Sequence, residues 1–234
     1  MAEQPAGEAQ PQLVENAEAL ATAGAECLLG WIATDQRDDG ICQLALSGGR
    51  TPRAMYDRLG QGSLAETVDV DRIEFYYGDE RVVPHDDPHS NHLLAREHLY
   101  EPLAIKPGQV FRMEVERADG AQRYAAVLPE QLDVLILGMG PDGHIASLFP
   151  GSDALEEEDR RVVRVMGPEP PRQRLTITPP VIAAARRVLV LVTGGAKAEA
   201  VARALRGAWD PLATPAQLVR HGTWILDRPA AAKL

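Results

Sequence analysis

An α/β fold, with a single-domain, mostly parallel Rossmann-like sheet and helices on both faces, is what this sequence predicts. Three observations carry that expectation. The runs ICQLAL (41–46), IEFYY (73–77), LDVLIL (132–137) and RVLVLV (187–192) are strand-length and largely apolar. Such runs mark strands covered on both faces, as parallel strands are. Helical spacings separate them, and strands alternating with helices imply a parallel sheet. Finally, the unusual loops SGGR, GDER, GMGPDGH and TGGAK each follow directly on one of these strands. They therefore converge on the carboxyl edge of the sheet, where such folds bind ligands.

Taken in order, residues 1–11 read as a flexible tail and 12–234 as one domain, without an internal repeat or a linker. Val14, Ala17, Ala21, Ala25, Leu28 and Ile32 recur at spacings of three and four, predicting an amphipathic helix over 13–34. The first strand, 41–46, ends in SGGR, and Thr51 and Pro52 offer an N-cap and a first-turn proline for a helix through Leu59. The second strand, 73–77, runs into GDER. Ser90 then caps a helix over SNHLLAREHL. VFRM (110–113) reads as a short strand and 121–128 as a helix. LDVLIL runs into the glycine loop, and the polar 152–161 reads as a solvated excursion. VVRV (162–165) and RLTIT (174–178) are weaker strands expected at the sheet margin. PPVIAAAR opens a helix, RVLVLV is the fourth strong strand, TGGAKAEAVARAL is a turn and helix, and TWIL (223–226) is a last strand.

Composition narrows the function. Of the 234 residues 45% are hydrophobic and 25% charged, which is ordinary for a globular protein able to build its own core. No apolar stretch approaches a membrane span, and the amino terminus lacks a basic region followed by an apolar one, so the expected location is the cytoplasm. Cys27 and Cys42 lack CxxC spacing and read as buried, inert thiols. A net charge of −10 argues against general nucleic-acid binding. It leaves room for an anionic small molecule held by a few local cations.

The loops supply those cations. In SGGRTP, Gly48 and Gly49 let backbone approach a ligand, Ser47 and Thr51 bring hydroxyls, and the helix start favours an anion. The spacing is not that of a nucleotide P-loop, and GMGPDG misses the dinucleotide fingerprint, so neither ATP nor NAD is expected. Arg81 in GDER can clamp a phosphate or carboxylate with its planar fork. Lys197 enters a helix at the end where positive charge is mildly unfavourable, a misfit that points to function. Arg174 is a further cation.

Among the histidines, His85, His89 and His92 stand near Asp86 and Asp87, yet Pro84 and Pro88 break any helix that would align them as metal ligands. His98 reads as a helix-surface residue and His221 as part of a late loop. His144 differs: it lies in the glycine loop, two residues after Asp142. Imidazole changes charge near neutral pH, and a carboxylate can orient the ring and stabilise its protonated form. No GxSxG nucleophile is present and neither cysteine lies in these loops. The residues thus point to base-catalysed chemistry on an anionic small molecule.

LALSGGRTPRAMYDRL, FYYGDERVVPHDDPHSNHLLAREHL, LDVLILGMGPDGHIASLFPGS, RLTITPPVI and VLVLVTGGAKAEAV together resemble the 6-phosphogluconolactonase family, segment by segment from about 41 to 205. The resemblance implies hydrolysis of 6-phospho-D-glucono-1,5-lactone to 6-phosphogluconate in the oxidative pentose phosphate pathway, without metal or organic cofactor. It makes His144 the general base and Asp142 the residue that holds its ring. Ser47, Gly48, Gly49, Thr51, Arg81, Arg174 and Lys197 would hold the phosphate and sugar hydroxyls of a phosphorylated lactone, in a protein expected to be monomeric. AQLVRHGTWILD is shorter than the family pattern, and His221 is given no role. Glucosamine-6-phosphate deaminases also carry DGHIA, but follow it with an asparagine-glutamate-proline stretch where this chain has SLFP. A non-catalytic sugar-phosphate sensor is the remaining alternative; it would bind ligand without turnover.

Overall fold

Two sheets organise the chain. The computed structural model describes residues 10–36, 40–63 and 67–234. Most of the expected tail, 1–9, lies outside the described residues. The main sheet holds β1 (Gln12–Val14), β2 (Cys42–Leu46), β3 (Ile73–Tyr77), β5 (Val134–Gly138), β8 (Val188–Val192) and β9 (Thr223–Asp227), in the order β1-β9-β8-β5-β2-β3. Every pairing in it is parallel. The second sheet is antiparallel, in the order β4 (Asp79–Arg81), β7 (Gln173–Ile177), β6 (Val162–Met166).

The central strands are apolar because both faces are covered. In β5 Val134, Leu135, Ile136 and Leu137 are all fully buried, as are Leu189, Val190, Leu191 and Val192 in β8. Full burial of such a side chain contributes about 1.5–3 kcal/mol each. Trp224, in β9, is buried too, and its indole N–H donates to the Val219 carbonyl at 3.0 Å.

Among the described residues the α-helices that cover the sheets are α1 (Ala17–Gln36), α2 (Arg50–Arg58), α3 (Asn91–Ala95), α4 (Gly120–Val127), α5 (Pro179–Ala184) and α6 (Ala198–Arg206). α1 starts four residues later than its apolar spacing predicts. Asn16 Oδ1 accepts the Ala19 amide at 2.9 Å and sets the start, while Val14 joins an edge strand paired with Asp227. α2 also differs, since Gly49 occupies its N-cap and Thr51 lies inside the first turn. Ser90 does cap α3, accepting the Leu93 amide at 3.2 Å.

Three further expectations are corrected. VFRM forms no strand; Val110 makes a single bridge to Phe75 and the chain turns away. The two weak strands, β6 and β7, do not extend the main sheet but pair with β4 from the GDER loop. The 152–161 segment is not wholly solvated, because a short 3-10 turn buries Ala154 and Leu155. Both cysteines are free, and burial pushes the thiols up to about 11 for Cys27 and about 12 for Cys42.

β2 sits between β3 and β5, so the chain leaves it toward one side of the sheet and returns on the other. Loops after β2 and β5 consequently diverge, and a crevice opens between them at the strands' carboxyl ends. The small sheet joins an excursion after β3 to one after β5, and so forms a wall of that crevice.

Candidate active site

The loop after β2 is tied down from below. The Tyr56 hydroxyl, on α2, donates to the Ser47 carbonyl at 2.8 Å and accepts the Ser47 amide at 3.0 Å. Gly49 has φ 101 and opens α2; Gly194 has φ 94 and opens the 3-10 turn Gly195–Lys197 ahead of α6. Both loops thus use a left-handed glycine to turn a strand end into a helix start, a conformation costly for any residue with a Cβ. Thr51 Oγ1 and Thr193 Oγ1 lie 2.7 Å apart and stitch the two loops together. Asp227, at the end of β9, accepts the Gly194 amide at 3.0 Å.

The glycine loop after β5 folds back on itself. Gly140 N–H donates to the His144 carbonyl at 2.9 Å, and Asp142 Oδ1 accepts both the His144 amide, at 3.1 Å, and His144 Nδ1, at 2.6 Å. A carboxylate only accepts, so Nδ1 carries a proton, and in the neutral ring Nε2 keeps its lone pair. Burial raises the Asp142 pKa, but the hydrogen bond and charge of His144 lower it more, and the net direction is down. Gly140 makes this arrangement possible: a Cβ there would meet His144 Nδ1 at 2.1 Å and Asp142 Oδ1 at 2.6 Å. The His144 ring rests against Phe149, 4.7 Å between centroids, and the Arg174 guanidinium lies 5.6 Å from the centre of the same Phe149 ring.

β4 and α3 build the opposite wall. Glu80 is buried and accepts four hydrogen bonds, from the Arg81, Asn91 and His92 amides and the Ser90 hydroxyl, at 2.7–3.0 Å. Asp79 accepts from Ser147 Oγ at 2.6 Å and from Asn91 Nδ2 at 3.2 Å. Asn91 presses against the first loop, for a Cβ on Gly48 would meet its Oδ1 at 1.8 Å. Arg81 and Arg174 are direct cross-strand partners. Arg81 Nε is buried without a hydrogen-bond partner, and burial together with Arg81 lowers the pKa of Arg174. Like charges placed opposite each other on a sheet repel, so these two suit an anion between or beside them. Lys197 is likewise lowered, by burial first and by Arg50 second.

A cleft of about 200 Å³ joins these groups, lined by Ser47, Gly48, Gly49, Thr51, Arg81, His144, Arg174 and Lys197. These are the residues that the sequence singled out, apart from Asp142, which stands behind His144 and borders a neighbouring groove instead. Arg50 and Asp79 also line the cleft and were missed. Arg50 had a signal, being the fourth residue of SGGR. Asp79 was visible in GDER but was given no role. Asn91, Ser147 and Phe149 had no signal beyond lying in the right segments. His85 and His92 stack 6.3 Å apart and His89 hydrogen-bonds Asp87; none of the three lines the cleft. His98 is not a bare surface residue, since its Nδ1 lies 2.6 Å from Asp57 Oδ1. His221 does not line the cleft.

Comparison with known proteins gives the family and the fold. A family model described as glucosamine-6-phosphate isomerases/6-phosphogluconolactonase matches residues 15–226. A 6-phosphogluconolactonase of Streptomyces coelicolor is 36% identical, over 96% of this chain and 95% of that one. The structure of 6-phosphogluconolactonase from Trypanosoma brucei superposes with a TM-score of 0.83 at 30% identity, covering 96% of this chain and 99% of that one. A monomeric glucosamine-6-phosphate deaminase shares the fold, with a TM-score of 0.84 at 24% identity over 96% of this chain and 100% of that one.

Proposed function

Because the chain belongs to the glucosamine-6-phosphate isomerase/6-phosphogluconolactonase family, we infer that it hydrolyses 6-phospho-D-glucono-1,5-lactone to 6-phosphogluconate. The observation that carries this reading is a carboxylate-oriented imidazole facing a small cleft lined by cations. His144 Nε2 takes a proton from water as the oxygen attacks the lactone carbonyl. The carbonyl becomes an alkoxide, which nearby donors or a cation stabilise. Collapse expels the ring oxygen, which receives its proton from the His144 imidazolium. The products are a carboxylic acid and the freed C5 hydroxyl, so atoms and protons balance. Asp142 keeps the ring in the useful tautomer and stabilises its charged form.

Ser47, Gly48, Gly49, Thr51, Arg81, Arg174 and Lys197 hold the phosphate and sugar hydroxyls. Phe149 supports the lactone assignment over amino-sugar isomerisation: no carboxylate occupies 147–150, and this apolar ring covers His144 instead. The chain works as a cytoplasmic monomer on this reading. No helix among the described residues is long and apolar enough to cross a membrane.

The test is acid release in a pH-stat from freshly generated lactone. Wild type should far outpace buffer, and His144→Ala should fall by ~10²–10⁴-fold while still binding 6-phosphogluconate. Equal rates for both proteins and buffer would discard the lactonase assignment; ammonia release from glucosamine 6-phosphate would replace it with deamination.

A further inference from the structure

A second cavity, of about 830 Å³, lies beside the edge strand β3 and shares no lining residue with the catalytic cleft. Its wall is aromatic and aliphatic: Tyr100, Phe111, Tyr124 and Ile105 all border it. The two tyrosine hydroxyls are turned away. Tyr100 bonds the Tyr77 hydroxyl at 2.7 Å, and Tyr124 donates to the Tyr77 carbonyl at 3.0 Å. What they offer the cavity is therefore ring carbon.

Cations stand around this apolar wall, and most are already engaged. Lys106 binds Asp71 at 2.6 Å, Arg123 binds Glu114 at 2.6 Å, and Arg112 is held by both oxygens of Glu116. Arg96 is different. Its Nε is buried with no hydrogen-bond partner, and the nearest carboxylate, the largely exposed Glu101, stands 3.4 Å off. One turn earlier on the same helical segment, His92 spends Nδ1 on the Tyr77 hydroxyl at 3.0 Å. Burial first, with smaller contributions from Arg112, His85 and Arg96, pushes its imidazole down to about 4. Cavities of this size, mostly apolar with a few convergent polar groups, are the usual form of small-molecule sites.

We propose that this cavity is a second ligand site, for a small organic anion whose apolar ring system packs on Tyr100 and Phe111 while its acidic group meets Arg96 and His92. An inorganic ion would leave the apolar lining uncovered, and an uncharged ring would leave the Arg96 guanidinium with the exposed Glu101 as its one carboxylate partner among the described residues. The site adjoins catalytic machinery through one peptide bond: Asn91, which holds Asp79, precedes His92, and Glu80 accepts both of their amides.

The probe is 1-anilinonaphthalene-8-sulfonate, an aromatic body with one fixed negative charge, titrated by fluorescence into the intact protein. One saturable site is expected in wild type. Affinity should drop at least tenfold in Arg96→Ala. It should drop similarly in Val127→Trp, where a half-exposed lining residue of the cavity mouth is enlarged to fill it. His144→Ala and saturating 6-phosphogluconate should leave binding unchanged, which separates this site from the cleft. The proposal is overturned if binding is absent or unsaturable, if both cavity variants bind like wild type, or if 6-phosphogluconate displaces the dye. Circular dichroism of each variant establishes that a lost signal is not lost folding.

Discussion

Replacing Gly140 with alanine should separate activity from stability. The added methyl carbon would sit 2.1 Å from His144 Nδ1, 2.2 Å from Cε1 and 2.6 Å from Asp142 Oδ1. Ordinary van der Waals contact begins near 3.4 Å, so the ring has to retreat by more than 1 Å. A 1 Å misplacement of reacting groups can cost ~10²-fold, and full loss of general-base assistance ~10²–10⁴-fold. A fall in kcat within ~10²–10⁴-fold is therefore expected. Stability should barely change. Gly140 does not adopt a left-handed φ, and both displaced side chains are partly exposed and free to swing outward. Losing the His144–Asp142 hydrogen bond costs about 0.5–1.5 kcal/mol, which the reduced entropy of the unfolded alanine chain, about 0.4–1 kcal/mol, largely offsets. The assays are pH-stat lactone hydrolysis and urea unfolding on the same preparation. Wild-type kcat in a folded Gly140→Ala protein would refute the base role proposed for His144, and loss of more than ~3 kcal/mol of stability would refute the freedom assigned to its surroundings.

Glu80→Gln should lose roughly 2–4 kcal/mol of stability, because an amide nitrogen would face buried donors that now reach a carboxylate oxygen; the urea midpoint measures it. Lys197→Ala and Arg81→Ala should raise KM about 10–10²-fold, the worth of a charge-assisted hydrogen bond, with smaller changes in kcat; unchanged KM in both would remove them from substrate binding. Asp142 has a folded pKa below its ordinary value, so its contribution to stability is present above pH ~4 and fades as pH falls through the lower folded value. Asp142→Asn should accordingly flatten the acid limb of a stability–pH profile, and an unchanged limb would contradict the direction of that shift.

How much of the fold and the cleft was legible in the sequence depended on where each signal comes from. β5 and β8 were legible since burial on both faces writes itself as an unbroken apolar run. β1 was not: three residues become a strand only by pairing with β9, more than two hundred residues away. β4 was hidden by its charges. Asp-Glu-Arg suggests solvent until Glu80 meets four donors from Arg81 and the start of α3, groups that no local pattern announces. The loop residues of the cleft were legible from glycine and charge placed after strong strands. Asn91, Ser147 and Phe149 act by contact with neighbours far along the chain or around a turn, and single residues of those types carry no periodic signature.

The facing arginines of β4 and β7 bear on how the product departs. Ring opening converts an uncharged lactone carbonyl into a carboxylate, so the product leaves carrying one more negative charge than the substrate brought. A cleft whose Arg81 and Arg174 repel each other when empty gains most from the more highly charged guest. With Arg81 and Arg174 in the substrate-binding role proposed for them, product should inhibit, and rising ionic strength should speed its release, because added salt screens the attraction that delays departure.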